Sequence, residues 1–145
     1  IDAILARARV LVYRMGIHGV VIDPWNELEH SCPPNMNETN YISECLGKIR
    51  RFARHHNVHI WLVAHPTKLK LDGDGNEPVP TLYDISGSAH FRNKCDAGVV
   101  VWRNLKNEFA PVQVHVQKIR FAETGELGMV EFSYDRVTGR YREVA

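Results

Sequence analysis

The chain opens with an amphipathic pattern. Apolar residues recur at steps of three and four from Ile1 to Met15, a spacing that places them on one face of a helix. Gly16 stands where a helix C-cap belongs, because glycine adopts the left-handed conformation at little cost. The pattern therefore predicts an amphipathic helix over residues 2–15.

Two short apolar runs follow, with a second helical stripe between them. The first, residues 19–23, ends in Asp23, and the second, residues 58–64, is followed by His65. Residues 41–53 between them carry apolar positions at helical spacing. A strand, a crossover helix and a second buried strand form a βαβ unit, which pairs the strands in parallel with a right-handed crossover. We therefore expect Asp23 and His65 at one edge of a sheet, where α/β proteins build their sites.

A long loop and a short helix come next. Residues 66–80 contain five glycines and prolines with little periodic signal, which predicts an extended loop. The residues from Ser86 to about Cys95 predict a short helix, and residues 97–102 predict an apolar strand. Loops as long as residues 66–80 are usually functional or disordered.

Beyond Asn104 the pattern alternates between apolar and polar positions. Such alternation, with turn residues at Thr124-Gly125 and Thr138-Gly139, predicts an antiparallel meander. In its first strand the apolar phase slips from even to odd positions, which indicates a β-bulge near Gln117.

The length, composition and net charge indicate one domain without a generally basic surface. A chain of 145 residues with 44% hydrophobic residues can bury the core of one domain. The 18 Lys and Arg nearly balance the 17 Asp and Glu, so any contact with nucleic acid must be local.

The cysteine content indicates the cellular compartment of the protein, and the first residue indicates whether the chain belongs to a longer one. Three widely spaced cysteines indicate a reducing, intracellular compartment, and we expect the cytoplasm. No apolar stretch approaches the roughly 18 residues of a membrane span, so no membrane partner is expected. Residue 1 is Ile rather than Met, and we expect the chain to have been cut from a longer protein.

Asp23 and His65 are the first candidates for chemistry. A carboxylate at the end of a buried parallel strand is placed to hold a Mg²⁺-bound water in nucleotide hydrolases. The alternatives are an acid that caps a loop, or a carboxylate metal cluster with Glu27 and Glu29. His65 could sense a γ-phosphate or orient the attacking water, or could simply be satisfied by its loop.

Two groups of residues are candidates for binding phosphate. Lys118 and Arg120 are two residues apart on one predicted strand, so their side chains share a face unless the bulge intervenes. Two cations directed together suit a phosphoryl group, and exposed strand charges are the alternative. Elsewhere, loop lysines beside backbone amides at a helix start could hold a nucleic-acid backbone, or could be a solvated loop beside a capped helix. This second group comprises Lys68, Lys70, Ser86, Gly87 and Ser88.

The candidate residues fall in four segments: Val-Ile-Asp-Pro-Trp-Asn-Glu-Leu-Glu-His (21–30), Trp-Leu-Val-Ala-His-Pro-Thr-Lys (61–68), Asp-Ile-Ser-Gly-Ser-Ala-His-Phe-Arg-Asn-Lys-Cys-Asp (84–96) and Gln-Lys-Ile-Arg-Phe (117–121). Together these segments resemble consecutive motifs of the replicative hexameric helicases. They are most like the Twinkle-type and phage primase-helicases, with the DnaB group more distant. The resemblance covers nearly the whole chain in order.

The resemblance implies roles at the ATP site. Asp23 matches the Walker B acid that supports Mg²⁺ through water. His65 matches the polar sensor that links the γ-phosphate to the DNA loop. Arg120 matches the arginine finger and Lys118 its companion, both acting on ATP held by the adjacent subunit. Tyr134 matches an aromatic residue that packs on the nucleotide base.

The resemblance also implies a surface for single-stranded DNA. The loop from Lys68 to Tyr83, together with Gly87 and Ser88, matches the region facing the central channel of the ring. Arg92 falls where the family keeps polar residues that couple this channel to the ATP site. Position 86 is Ser where some relatives carry Arg, which puts one phosphate contact in doubt.

The implied fold is α/β, a RecA-like P-loop NTPase core that lacks the P-loop strand, with parallel strands followed by a C-terminal antiparallel meander. Residues 1–145 would be a single partial domain, the C-terminal half of a helicase motor. The implied cofactors are ATP and Mg²⁺, and the implied partners are single-stranded DNA and identical subunits in a hexameric ring.

The family's phosphate-binding loop and catalytic glutamate are expected before Ile1. The isolated chain should therefore hydrolyse no ATP. Without the P-loop strand, the strands over 58–64 and 97–102 must pair directly, splay apart or recruit another molecule, and we expect a dimer or aggregate. A rival reading is a non-catalytic nucleic-acid-binding or oligomerisation module of the same fold. A metal-dependent hydrolase using Asp23, Glu27 and Glu29 is a third.

Overall fold

The protein forms two compact units. The computed structural model describes residues 1–71, 73, 75–85 and 89–144. Unit 1 consists of Ile1–His65 and Ile85–Lys94, and unit 2 of Pro66–Asp84 and Cys95–Ala145. The prediction of one partial domain over residues 1–145 stays a prediction.

Two helices of unit 1 end where their capping residues allow. Helix α1, Asp2–Met15, stops at Gly16, which has a φ of 65° in the left-handed region, and this confirms the predicted helix. Helix α2, Glu38–His56, begins after Asn37, whose side chain accepts a hydrogen bond from the Asn40 amide at 2.8 Å. It is longer than the predicted 41–53 because its polar ends lie outside the apolar stripe.

The two strands of unit 1 are parallel, as predicted. Strand β1, Gly19–Ile22, pairs with β2, His59–Leu62, with Gly19 opposite His59 and Ile22 opposite Leu62. A 3₁₀ turn, Trp25–Glu27, follows β1. The crossover between the strands contains α2, so the predicted βαβ unit is present.

The core of unit 1 lies along one face of α2. Spacing of three and four residues puts the buried positions of this helix on a single stripe. Helix α3, His90–Lys94, adds Phe91, whose ring lies edge-on to Trp25 with centroids 5.6 Å apart. The predicted start of α3 at residues 86–88 lies outside the described residues. The buried core residues are Ile22, Trp25, Ile42, Cys45, Leu46, Ile49 and Phe91.

Unit 2 is built on a four-stranded antiparallel meander, which confirms the predicted arrangement. The strands are adjacent in chain order, and the turn between the last two contains Gly139 with a φ of 66°. A 3₁₀ turn, Ala122–Thr124, lies in the second connection. The strands are β3 Ala97–Arg103, β4 Val112–Ile119, β5 Gly128–Asp135 and β6 Arg140–Glu143.

The predicted bulge lies at Gln117. Gly98 of β3 pairs with Lys118 of β4, whereas the next residue, Val99, pairs with Val116. Gln117 is therefore the extra residue that β4 inserts. The phase slip in the sequence is the signature of this insertion, because one added residue moves the apolar side chains to the other parity.

No helix among the described residues is long and apolar enough to cross a membrane.

Candidate functional site

Asp23 lies at the carboxyl edge of the parallel strand pair. It directly follows β1, and its side chain is exposed. Val63 donates its amide to the Ile22 carbonyl at 2.9 Å, and its carbonyl accepts from the Trp25 amide at 2.7 Å. Two backbone bonds therefore fix the segment on either side of Asp23, so its carboxylate is presented from a rigid edge.

His65 lies at the same edge, as the sequence predicts. Its backbone amide donates to Oδ1 of Asn26 at 2.8 Å, and Asn26 belongs to the turn that follows Asp23. The side-chain amide of Asn26 thus ties the end of β2 to the segment after β1. In the part of the chain that the structure describes, no hydrogen bond joins the side chains of Asp23 and His65.

Glu27 and Glu29 are also exposed near this edge. Within residues 1–71, 73, 75–85 and 89–144, no group of three or more His, Cys, Asp or Glu residues is arranged to hold a metal ion. The structure therefore gives no support to a cluster of Asp23, Glu27 and Glu29.

Arg120 is held by an acid and a carbonyl. Its Nε lies 2.6 Å from Oδ1 of Asp96, and its Nη2 donates to the Cys95 carbonyl at 3.1 Å. The Arg120 amide also donates to the Asp96 carbonyl at 2.8 Å. The guanidinium is thereby oriented by the residues just before β3. Asp96 was not singled out from the sequence, although its opposite charge and its place before a strand are visible there.

Lys118 and Arg120 both act electrostatically on Cys95. Burial raises the pKa of the Cys95 thiol, and the positive charges of Lys118 and Arg120 oppose that rise. Both cations therefore lie close enough to the Cys95 thiol to act on it electrostatically. This is the pair that the sequence predicts to act together on a phosphoryl group.

Tyr134 stacks on a second tyrosine. It lies on β5 opposite Tyr141 of β6, with ring centroids 4.9 Å apart and planes at 43°. About half of each side chain stays exposed. Tyr141, which sequence reasoning missed, extends the aromatic surface that Tyr134 offers to a flat ligand.

The loop lysines are exposed in unit 2. Lys68 lines a groove of about 410 Å³ with Trp102 and Arg103 of β3, and Lys70 is exposed nearby in the chain. An aromatic ring beside two cations suits a nucleic-acid strand, whose bases stack and whose phosphates attract positive charge.

The remaining predicted nucleic-acid residues belong to unit 1 or lie outside the described part of the chain. Arg92 is half-buried on α3, beside Phe91, which anchors that helix in the core. A second anchor is Lys94, whose Nζ donates to the Ser43 carbonyl at 2.6 Å. The predicted contacts at Ser86, Gly87 and Ser88 lie outside the described residues.

Comparison with known proteins shows which proteins the chain is similar to. No family model matches the chain. The Twinkle homolog protein, chloroplastic/mitochondrial, of Arabidopsis thaliana is 49% identical over 146 residues, which cover 99% of this chain and 20% of that protein. A DnaB-like replicative helicase, solved in a study of its interactions with primase, has the same fold, with a TM-score of 0.72 and 20% identity over 97% of this chain and 34% of that one.

The chain is similar to a region of the Twinkle homolog protein and shares the fold of a DnaB-like replicative helicase. The resemblance found in the four sequence segments is thereby confirmed, as is the α/β fold class with its parallel pair and antiparallel meander. The chain spans about a fifth of the length of its Twinkle relative.

The residues of this chain fit the cofactors that the sequence resemblance implies, ATP and Mg²⁺. Asp23 offers exposed carboxylate oxygens, the ligand type that Mg²⁺ and its waters prefer. Lys118 and Arg120 supply positive charge for phosphate oxygens. Asp23 belongs to unit 1, whereas the two cations and Tyr134 belong to unit 2.

Proposed function

We propose that the longer protein is an ATP-dependent replicative DNA helicase, and that this chain supplies part of its motor. The observation that carries the proposal is the 49% identity to the Twinkle homolog across 99% of the chain. The matched region spans the positions for which the sequence predicts a catalytic role. The longer protein would assemble as a hexameric ring around single-stranded DNA and use ATP and Mg²⁺.

In this proposal each residue has a role that its surroundings support. Asp23 would hold Mg²⁺ through water, and the ion would supply positive charge that offsets the negative charge of the phosphates. His65, at the same edge, orients the attacking water or senses the γ-phosphate. Arg120 and Lys118 place positive charge on the phosphoryl group in the neighbouring subunit's site.

DNA would be held by a different set of residues. Lys68 and Lys70, with the nearby Arg103, would neutralise backbone phosphates, and Trp102 would stack on a base. Arg92, Ser86, Gly87 and Ser88 are the other residues that we propose to contact DNA. Tyr134 would pack on the adenine, with Tyr141 behind it.

The test is ATP hydrolysis by the longer protein. We expect Arg120→Ala to lower turnover by about 10³- to 10⁵-fold if Arg120 acts as an arginine finger, while nucleotide binding falls much less. Arg136→Ala is the matched control, because Arg136 forms an exposed ion pair with Glu108 at 2.6 Å. An Arg120→Ala protein that keeps wild-type turnover would remove the assignment.

The same assay applies to residues 1–145 alone. This sequence contains no G-x-x-x-x-G-K-[ST] segment, whose backbone amides would cradle the phosphates. We expect no turnover above background from the isolated chain. Measurable hydrolysis would contradict this, and a longer protein that binds DNA but hydrolyses no ATP would favour the non-catalytic module.

The location of the longer protein is a separate proposal. The cysteine content suggests a reducing compartment, and the sequence predicts the cytoplasm. The Twinkle homolog's name places that protein in chloroplasts and mitochondria, so we propose an organelle interior instead. Imaging of the tagged longer protein distinguishes the two, and a diffuse cytoplasmic signal would contradict the organelle.

A further inference from the structure

The base of the lysine-bearing loop is closed by a short turn. Thr67 donates its amide and its hydroxyl to the Asp84 carbonyl, at 2.7 and 3.1 Å. The Asp84 carboxylate accepts from the amide and the hydroxyl of Thr81, at 2.6 and 2.7 Å. The Thr67 bonds hold the two ends of the loop together, and the two Thr81 bonds lower the pKa of Asp84.

Gln117 joins this turn to β4. Its Nε2 donates to the Pro80 carbonyl at 2.8 Å, and its Oε1 accepts from the Leu82 amide at 3.0 Å. Gln117 is the inserted residue of the bulge and is half-buried. A carboxamide can make this pair of bonds because it carries both a donor and an acceptor.

A second contact makes the junction stiff. Leu82 is buried, with 6% of its surface exposed. It lies so close to Gly98 of β3 that a Cβ atom at that glycine would overlap the Leu82 side chain. The turn is thus fixed to both β3 and β4, at the level where β4 continues into Lys118.

We propose that Gln117 is a positioning residue that couples the Lys68–Asp84 segment to the strand carrying Lys118 and Arg120. The inference rests on the proposed function, in which that segment contacts DNA and those cations contact ATP. If DNA binding shifts the base of the loop, the hydrogen bonds from the Pro80–Leu82 turn would pull on Gln117. Because Gln117 immediately precedes Lys118, the shift would reach the two cations along β4. Gln117 itself touches neither ligand.

The experiment uses the longer protein and oligothymidylate as the DNA probe. ATP turnover is measured with and without the oligonucleotide for wild type, Gln117→Leu and Gln117→Glu. We expect the ratio of the two rates to fall about five-fold or more in both variants, the lower end of typical coupling between sites. Glutamate is nearly isosteric and keeps the acceptor for Leu82, but it cannot donate to Pro80.

Gln113→Leu is the matched control. Gln113 also lies on β4 and also makes two side-chain hydrogen bonds, to Glu131 at 2.8 Å and His115 at 3.0 Å. It does not contact the loop base through either bond. If the Gln117 effect were only a general loss of stability, Gln117→Leu and Gln113→Leu would both have a lower melting temperature. Their ratios of ATP turnover with and without the oligonucleotide would then be similar.

Hydrogen exchange at the Leu82 amide gives a readout independent of turnover. We expect faster exchange in Gln117→Leu than in Gln113→Leu, because the amide loses its acceptor. If wild type hydrolyses ATP but DNA does not stimulate it, or if it hydrolyses none, the proposed function and this inference are both wrong. If wild type is stimulated and the Gln117 variants keep the ratio of the control, only this inference is wrong.

Discussion

Arg120 shows how far the role of one residue depends on its partners in space. Its sequence position suggests a cation directed at phosphate, and the structure adds the carboxylate of Asp96 at 2.6 Å. Charge-assisted hydrogen bonds of this kind are short and directional. Both side chains remain partly exposed, so the pair contributes little to stability and matters chiefly for the orientation of the guanidinium.

The cysteines provide a prediction at the residue scale. Thiolate is the form that reacts with iodoacetamide, so exposure and pKa set the rate. Cys32 is exposed, Cys95 is partly buried with its pKa raised by desolvation, and Cys45 is 2% exposed. We expect alkylation of residues 1–145 near neutral pH in the order Cys32, Cys95, Cys45, measured by peptide mass spectrometry over time.

The control is the same labelling in urea. Unfolding exposes all three cysteines, so their alkylation rates should become similar. Faster labelling of Cys95 than of Cys32 in the folded protein would contradict the assigned environments. Equal rates in the folded protein would mean that the units open readily.

At the scale of elements, the ends of α2 are set by polar residues that hydrophobic periodicity does not detect. The apolar stripe predicts only the middle of the helix. In the first turn, the side chain of Asn37 accepts a hydrogen bond from the Asn40 amide. The helix ends at Asn57, which adopts a left-handed φ of 51°. Asparagine tolerates that conformation better than most residues because its side chain bonds locally.

The cap at Asn37 can be tested directly. Asn37→Ala removes the acceptor for the Asn40 amide, so the free energy of unfolding of residues 1–145 should fall by about 1 kcal/mol. Urea denaturation followed by helical circular dichroism measures this. Asn37→Asp keeps an acceptor and should stay close to wild type. An alanine variant as stable as wild type would show that water replaces the cap without loss.

At the scale of the whole molecule, the parallel pair leaves an apolar face open. Val21 and Trp61 are opposite each other in the register and are 64% and 53% exposed. Parallel sheets are normally covered on both faces, so this face is suited to contact with further protein. In the described residues β2 and β3 belong to separate sheets, so direct pairing is not the one of the three expected arrangements that occurs.

Self-association of residues 1–145 follows from that face. We expect sedimentation velocity to show a mass that rises with concentration, and Val21→Lys to shift the protein toward monomer, because a charge cannot be buried there without a partner. Val137→Lys is the control, since Val137 is 95% exposed in the β5–β6 turn. A wild-type chain that is a single monomeric species at all concentrations would contradict the prediction.

The sequence alone determined most of the local elements and the resemblance to replicative helicases. Helical and alternating periods are local properties of the chain, so α1, the βαβ unit, the meander and even the bulge at Gln117 could be read from it. Residue types at strand ends also marked Asp23, His65, Lys118 and Arg120. Their proposed roles remain predictions.

Tertiary structure decided which side chains meet. Asp96 holds Arg120, Gln117 holds the turn at Pro80 and Leu82, and Tyr141 stacks on Tyr134. These partners are 7 to 37 residues apart in the chain, and no short-range pattern encodes their pairing. Hydrophobic burial places elements without specifying individual polar contacts, because it is non-directional, whereas hydrogen bonds and ion pairs form only when the folded backbone brings their atoms within reach.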